Sequence, residues 1–176
     1  MLHNYRFSRK GFTLAELLTA VIIVTVLVAM ATPLYEKLVE RSHLAEVRQV
    51  LNSLQQAKLF AMDKMDIENY DTSNPKPTMD HLNVSFGEAT SPTGESPLGA
   101  TSFSTKHFTY SLKPGSGNLN GVCAVRLKGD AAGTVFYYYH PSGRTDTHIF
   151  QCSNSNPDLC EKAYGLENTP GVSCNI

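Results

Sequence analysis

The sequence has none of the short motifs that are typical of enzymes. It contains no G-x-S-x-G turn, no H-E-x-x-H helix and no phosphate-binding loop. The glycine-rich stretch PGSGNLNG at 114–121 lacks the strand-then-helix context of a phosphate site, and we interpret it as a turn between strands. Ser, His and Asp occur without a spacing that defines a site. We therefore predict no catalytic residue, no cofactor and no enzymatic activity.

The chain also lacks a large net charge. The 15 basic and 16 acidic residues give a formal net charge of -1, so the basic excess typical of nucleic-acid-binding proteins is missing. No nucleic acid partner is expected. Residues 1–11, however, contain Arg6, Arg9 and Lys10 and no acidic residue. Because a basic segment before an apolar one stays in the cytoplasm, the chain after the apolar segment is predicted to lie outside it.

The pattern of metal ligands is incomplete. No C-x-x-C pair is present, and His140, Asp146 and His148 flank a predicted turn without a matching ligand set elsewhere. A structural zinc site takes four ligands. We therefore predict no metal site and interpret these histidines as structural or exposed residues.

Ionisable side chains are nearly absent from residues 12–34. Glu16 is the only one among these 23 positions, and twelve of them are Leu, Ile, Val or Phe. A helix of this length spans about 34 Å, which is enough for a hydrocarbon core of about 30 Å. On insertion scales the apolar residues outweigh the cost of one acid. The segment is predicted to insert into a membrane as a helix despite Glu16.

Three interpretations of this segment differ in where the mature chain begins. In a secretory signal peptide, the A-M-A sequence at 29–31 would be the cleavage site and Thr32 the first mature residue. Glu16 is badly placed in the apolar core of such a peptide, and the helical pattern continues past the supposed cut. A plain N-terminal anchor would instead keep Met1, with Glu16 near the membrane interface.

The third interpretation rests on the sequence RKGFTLAELL at 9–18. It resembles the processing site of type IV prepilins and pseudopilins, in which a basic leader ends in Gly, Phe begins the mature chain, and Glu is the fifth mature residue. Pro33 also falls where helices of this family commonly carry a proline. By this resemblance a prepilin peptidase would cleave after Gly11 and methylate the new amine of Phe12. The apolar helix would remain in the mature protein.

The resemblance also implies a role for Glu16. Cleavage creates an ammonium on Phe12, one helical turn before Glu16. A charge in lipid is costly alone, and an opposite charge within hydrogen-bonding distance offsets much of that cost. In a filament the Phe12 amine of an incoming subunit would meet the Glu16 carboxylate of a neighbour. Glu16 is therefore expected to be an assembly residue and not a catalytic acid.

Apolar residues continue at helical spacing after the membrane segment. Pro33 lacks an N–H and crowds the preceding turn, so a kink is expected at 30–33. Residues 35–65 are predicted to form an amphipathic helix with one core-facing stripe. The stripe consists of Leu44, Val47, Leu51, Leu54, Ala57 or Lys58, Ala61 and Met65. The opposite, polar face includes Asn52 and Gln55.

The rest of the chain divides into a connection and a sheet region. Residues 66–100 are rich in Asn, Asp, Ser, Thr, Pro and Gly, and they are predicted to form a variable, exposed connection. Alternating patterns within 101–176 predict roughly four antiparallel strands. These patterns lie at 108–112, 123–127, 134–140 and 144–152. One face of so small a sheet must cover the amphipathic helix. The predicted fold is therefore α+β, with a long N-terminal helix packed on an antiparallel sheet, and the resemblance implies the same pilin-like fold.

All four cysteines follow the predicted membrane crossing, where an oxidising compartment favours disulfides. Four cysteines allow three pairings. We prefer Cys152 with Cys160, across a Ser/Asn/Pro loop, and Cys123 with Cys174, which would tie the C-terminus to the sheet. A bridged C-terminal loop fits the resemblance, although type IV pilins typically have one bridge and the second is a departure from that pattern.

The function that the resemblance favours is a structural subunit, a major or minor pilin, of a type IV pilus, with residues 1–11 as leader peptide. The alternative is a pseudopilin of a type II secretion system, which usually lacks a disulfide-rich C-terminal loop. A secreted or anchored binding or enzymatic domain is the alternative of another class. The implied partners are further pilin subunits, the prepilin peptidase, the inner-membrane assembly platform and membrane lipid. The expected location is the bacterial inner membrane before assembly, with the leader cytoplasmic, and an extracellular pilus or periplasmic pseudopilus afterwards.

Overall fold

The computed structural model describes most of the chain. The described residues are 11–71, 73–74, 76–82, 84, 99–115, 120–141 and 148–176. The basic leader before Gly11, much of the predicted connection and Asp146 lie outside them. The chain divides into two compact units, residues 1–39 and residues 40–176, and the second is called the head below. Helix α1, Leu14–Lys64, contributes residues to both units.

In the first unit, α1 is apolar and exposed. Every residue from Leu14 to Leu38 is exposed, and α1 is the one helix in the described part of the chain that is long and apolar enough to cross a membrane. Three threonine hydroxyls donate to carbonyls one turn earlier, which pairs these polar groups without water. The bonds are Thr19 Oγ1 to Ala15 O, Thr25 Oγ1 to Ile22 O and Thr32 Oγ1 to Val28 O.

The head contains a five-stranded antiparallel sheet. Its strands are β1 (Ser102–Ser104), β2 (Phe108–Ser111), β3 (Val122–Arg126), β4 (Val135–Tyr139) and β5 (Ile149–Ser153). Their order in space follows their order in sequence, so each strand pairs with the one before it. The α+β fold is confirmed, but the sheet has one strand more than predicted. The additional strand, β1, has only three residues, too few to give a clear period-two signal.

The head residues of α1 cover one face of the sheet. The buried side chains of α1 recur at helical spacing: Val47, Leu51, Leu54, Gln55, Lys58, Ala61 and Met62. They belong to the same core as the strand aromatics Phe108, Tyr110 and Phe136. Gln55 was expected on the polar face but is buried, with its Nε2 donating to Asn120 O at 2.9 Å. The backbone carbonyl pairs the NH₂ group of this buried amide, whereas Gln55 Oε1 has no hydrogen-bond partner among the described residues.

Residues 154–176, which follow β5, are called the C-terminal segment below. Asn156 precedes the short helix α2 (Pro157–Leu159), and its side chain accepts a hydrogen bond from Asp158 N at 3.2 Å. The helix continues as a π-helical turn at Cys160–Tyr164. Gly165 ends this turn with φ at 66°, a left-handed conformation that favours glycine.

Two disulfides hold the C-terminal segment against the sheet. They join Cys123 to Cys174 and Cys152 to Cys160. These are the two pairs preferred above from the sequence. Backbone hydrogen bonds run beside them, from Gly115 N to Ser173 O, from Asn175 N to Lys113 O and from Thr169 N to Cys152 O. The segment is therefore attached to both β3 and β5.

Candidate processing and assembly site

Helix α1 begins with a capping box. Thr13 directly precedes the helix, and Glu16 is three residues later. Thr13 N and Thr13 Oγ1 each donate to Glu16 Oε2 at 2.8 Å, and Glu16 N donates in return to Thr13 Oγ1 at 3.3 Å. This reciprocal arrangement pairs two N–H groups that the start of a helix would otherwise leave without an acceptor.

Glu16 therefore has a local role, as a helix-capping residue, that was not predicted from the sequence. The sequence T-L-A-E at 13–16 is a T-x-x-E capping signal placed before an apolar run. The capping box could therefore have been predicted from the sequence. The helix dipole also favours a negative charge at this end. Both bonds from Thr13 reach Oε2, and within the described residues Oε1 receives none. Capping uses one carboxylate oxygen and leaves the other accessible to a second partner.

The residues at the predicted cleavage site are exposed. Gly11 and Phe12 precede α1, and Phe12 is 85% exposed. A Cβ added to Gly11 meets nothing within 4 Å. The fold therefore does not require glycine at this position, and a requirement for Gly11 would come from the processing enzyme. The amine expected to pair with Glu16 is part of the Gly11–Phe12 peptide bond until cleavage frees it.

Pro33 lies inside α1, together with the whole predicted kink region at 30–33. Its nitrogen cannot donate to the carbonyl one turn earlier. The helix nevertheless extends on both sides of it, from Leu14 to Lys64. A kink at Pro33 stays a prediction.

A buried ion pair holds the α1 residues of the head on the sheet. Arg126 of β3 is 4% exposed, and its Nη2 donates to Glu40 Oε1 at 2.9 Å. Tyr164 Oη donates to Glu40 Oε2 at 2.8 Å. Burial, together with this bond, raises the pKa of Tyr164, so the phenol stays a donor. The Glu40 carboxylate therefore joins α1 to β3 and to the π-helical turn. Loss of this carboxylate would leave the buried guanidinium of Arg126 without its ion-pair partner.

Lys58 is a buried lysine of α1. Its Nζ donates to Leu112 O at 2.8 Å and to Gly121 O at 2.7 Å, and it lies 3.7 Å from the centroid of the Tyr70 ring. Burial lowers the pKa of Lys58 well below its ordinary value. Leu112 follows β2 and Gly121 precedes β3, so Lys58 ties both ends of the β2–β3 connection to α1.

Within the described residues, no group of three or more His, Cys, Asp or Glu side chains is placed to hold a metal ion. The structure does bring His140 and His148 together, with 3.1 Å between His148 Nδ1 and His140 Nε2. Asp146, named beside them in the sequence analysis, lies outside the described residues. The cysteines are all in disulfides and are therefore not thiolate ligands.

Comparison with known proteins bears on the N-terminal segment. The family model of the prokaryotic N-terminal methylation motif matches residues 6–32. The comparisons with curated proteins and with solved structures give no match. The matched residues include Gly11, Phe12, the capping box and most of the apolar part of α1. The chain thus carries the N-terminal methylation motif of type IV prepilin-like leaders, the motif of pilin-like and pseudopilin proteins.

Proposed function

We propose that the chain is a structural subunit, a major or minor pilin, of a type IV pilus. The observation that supports this best is the methylation motif at 6–32, which is in register with a helix that begins at Leu14 and is capped by Glu16. A prepilin peptidase removes residues 1–11 and methylates the amine of Phe12. Until assembly, the apolar helix holds the subunit in the inner membrane, with its leader in the cytoplasm.

Assembly then depends on Phe12 and Glu16. The ammonium of Phe12 on an incoming subunit pairs with the Glu16 carboxylate of its neighbour. Oε1 is the oxygen suited to this contact, since Oε2 accepts both bonds from Thr13. Each charge is costly alone in an apolar environment, and pairing offsets much of that cost. The pair fixes the axial position of the subunit while apolar side chains exchange lipid for neighbouring helices.

The other segments follow from this assignment. Residues 12–34 form the membrane helix and later the filament core, and residues 35–65 form the amphipathic helix that supports the sheet. Residues 66–100 are the variable connection between the helix and the sheet, and residues 101–176 are the sheet region with the disulfide-bonded C-terminal loop. The partners are further pilin subunits, the prepilin peptidase, the assembly platform of the inner membrane and, before assembly, membrane lipid. The chain needs no cofactor and acts without catalysis.

A pseudopilin of a type II secretion system is the second candidate, because it would share the motif and the apolar helix. The two disulfides favour the pilin. The reason comes from the resemblance, since pseudopilins usually lack a disulfide-rich C-terminal loop. A pilus stands outside the cell, whereas a pseudopilus stays in the periplasm. The location of the assembled protein therefore separates the two candidates.

The mature N-terminus and the location of the protein are the test. Mass spectrometry of the untagged chain from its native bacterium should show N-methylated Phe12 as the first residue. A chain that begins at Thr32 would instead be a secreted domain, and one that begins at Met1 a plain anchor. Mechanical shearing of the cells should release the protein as surface filaments. A chain with methylated Phe12 that stays in the periplasm after shearing would be a pseudopilin.

A further inference from the structure

Two histidines face each other at the end of the β4–β5 hairpin. His140 directly follows β4 and His148 directly precedes β5, next to the paired residues Tyr139 and Ile149. His148 Nδ1 and His140 Nε2 are 3.1 Å apart. The ring centroids are 4.3 Å apart, and the planes are nearly perpendicular at 79°. One nitrogen of each imidazole therefore faces a nitrogen of the other.

A buried tyrosine supports both rings. His148 stacks on Tyr138, with centroids 5.6 Å apart and planes 19° apart, and His140 meets the same ring edge-on at 6.0 Å. Tyr138 is only 6% exposed, and its Oη donates to Asn52 Oδ1 of α1 at 2.9 Å. The histidine pair is thus built on a residue that is fixed to the helix.

The nitrogen separation suits a transition-metal ion. Nitrogen ligands lie about 2.0–2.1 Å from zinc, so an ion bound to two nitrogens 3.1 Å apart would have an N–metal–N angle of about 100°. This value lies between the angle of about 90° in square-planar and octahedral sites and the angle of about 109° in tetrahedral sites. Imidazole nitrogen is a preferred ligand of zinc, copper and nickel. The two nitrogens are therefore already as far apart as two ligands of one ion, and each ring needs only to turn so that its lone pair points at the ion.

We propose that His140 and His148 together chelate one divalent transition-metal ion of the zinc, copper and nickel class, with water at the remaining positions. In the ion-free pair, one nitrogen carries the proton of the N–H···N hydrogen bond. On binding, that proton moves through solvent to the other nitrogen of the same ring. Both rings remain neutral and each presents a lone pair to the ion. The ion then links the ends of β4 and β5.

A second histidine pair in the head provides a matched control. His43 of α1 and His107, which precedes β2, have ring centroids 4.2 Å apart. His43 Nδ1 also lies 3.7 Å from Glu46 Oε2. His107→Gln removes an imidazole from this pair and leaves His140 and His148 intact. His140→Gln and His148→Gln do the reverse, and both positions are accessible enough to tolerate the change.

The test uses the full chain without a histidine tag, in detergent micelles. Calorimetric titration with Ni²⁺ should give one site per chain. His140→Gln and His148→Gln should each weaken binding by about tenfold or more, because a single imidazole loses the advantage of a second ligand held nearby. His107→Gln should bind as the wild type does. Equal binding by all four proteins, or loss of binding only in His107→Gln, would overturn the proposal.

Two further measurements report on the ligands directly. With Cu²⁺, electron paramagnetic resonance should show coupling to two imidazole nitrogens in the wild type and to one in either variant of the proposed pair. Ni²⁺ should raise the thermal midpoint of the wild type, because an ion that binds only the folded hairpin stabilises it. The rise should be absent in His140→Gln. A wild-type spectrum with one nitrogen, or an equal rise in His140→Gln, would contradict chelation by the pair.

Discussion

A substitution at Gly11 should block processing without affecting the folding of the head. Glycine lets an enzyme approach the backbone closely, and a Cβ at this position meets nothing within 4 Å in the folded chain. Gly11→Leu should therefore leave an uncleaved precursor in the membrane while the thermal midpoint of the head is unchanged. Mass spectrometry of the membrane fraction measures cleavage, with Thr13→Ala as a cleaved control. A Gly11→Leu chain that begins at Phe12 would show that the cleavage assignment is wrong.

Replacing Lys58 should lower the stability of the head. Lys58→Met leaves an unbranched side chain that is one atom shorter, and it removes the donor to Leu112 O and Gly121 O. Leaving such carbonyls buried and unpaired should lower the free energy of unfolding by about 2–4 kcal/mol. Denaturant titration of the full chain in micelles, followed by circular dichroism, measures this value. Lys64→Met, at an exposed position of the same helix, is the matched control and should change it little.

The stability difference between wild type and Lys58→Met should also depend on pH. Because burial lowers the pKa of Lys58, the unfolded chain holds a proton that the folded chain has released, between the lowered pKa and the ordinary value of 10.5. Stability from this group therefore rises with pH in that window and is lost as pH falls through the folded pKa. The advantage of the wild type should grow between about pH 8 and 10, below the ordinary pKa of tyrosine. A constant advantage would mean that the carbonyls keep Lys58 protonated throughout.

Single residues were predictable where their signal is local. Glu16 attracts attention because it is the only ionisable residue in the apolar run, whereas its partner Thr13 is three residues away and was passed over. The partners of Arg126 and Gln55 are distant in sequence, and no local pattern indicates them. A polar side chain is usually buried only when a partner pairs it, and the partner of Gln55 is 65 residues away in sequence. Gln55 was therefore predicted to lie on the polar face.

Secondary structure elements were predictable to the extent that they are periodic. α1 and four strands follow from helical and alternating patterns, and the requirement that a small sheet cover a helix gives the α+β fold. β1 was missed because Ser102–Ser104 gains its strand conformation from pairing with β2. The residues of β2 alternate in sequence between apolar and polar, but their burial does not alternate, since all four are buried. Its Ser111 faces the C-terminal segment, where its Oγ donates to Asn175 O at 2.6 Å.

The C-terminal segment is the element that the disulfides should stabilise. Peptide mapping of unreduced protein should find Cys123 linked to Cys174 and Cys152 linked to Cys160. In the chain-entropy model the first bond, across 51 residues, should contribute about 4 kcal/mol to the free energy of unfolding, and the second, across 8 residues, about 2.5 kcal/mol. Replacing each pair by alanines, followed by denaturant titration, measures these contributions.

Two outcomes of this mapping would count against the assignments. A bond between Cys123 and Cys152 would contradict the pairing. Four free thiols would contradict both the pairing and the location outside the cytoplasm, because the cytoplasm keeps cysteines reduced. A larger loss from the Cys152–Cys160 pair than from the Cys123–Cys174 pair would show that loop length does not set the two contributions.

At the scale of the whole molecule, the chain combines two parts with different requirements. The exposed apolar residues of the first unit need lipid or other helices around them. The head has its own buried core and two disulfides. A filament subunit needs both, since the helix must move from lipid into a helix bundle while the head stays folded. In the proposed filament, the contact that joins one molecule to the next would form at the start of α1.

Variants of Glu16 and Thr13 separate helix capping from filament assembly. Glu16→Ala removes both the capping acceptor and the charge, whereas Glu16→Gln keeps an acceptor for Thr13 and removes only the charge. Thr13→Ala removes the hydroxyl of the capping box and keeps the charge. If the charge pairs with the Phe12 amine of the next subunit, both Glu16 variants should be cleaved, inserted and stable but should form few filaments. Thr13→Ala should form them.

The yield of sheared filaments, divided by the membrane pool of the same variant, measures this. Glu16→Asp should be intermediate, because it keeps the charge on a side chain one methylene shorter. Removing the charge should make membrane insertion easier, so a reduced pool is not expected to limit the Glu16 variants. Filaments from Glu16→Gln but not from Thr13→Ala would show that Glu16 acts through the capping box. Normal filaments from Glu16→Ala would reduce it to an acid tolerated near the membrane interface, and the Phe12 amine would then need another partner.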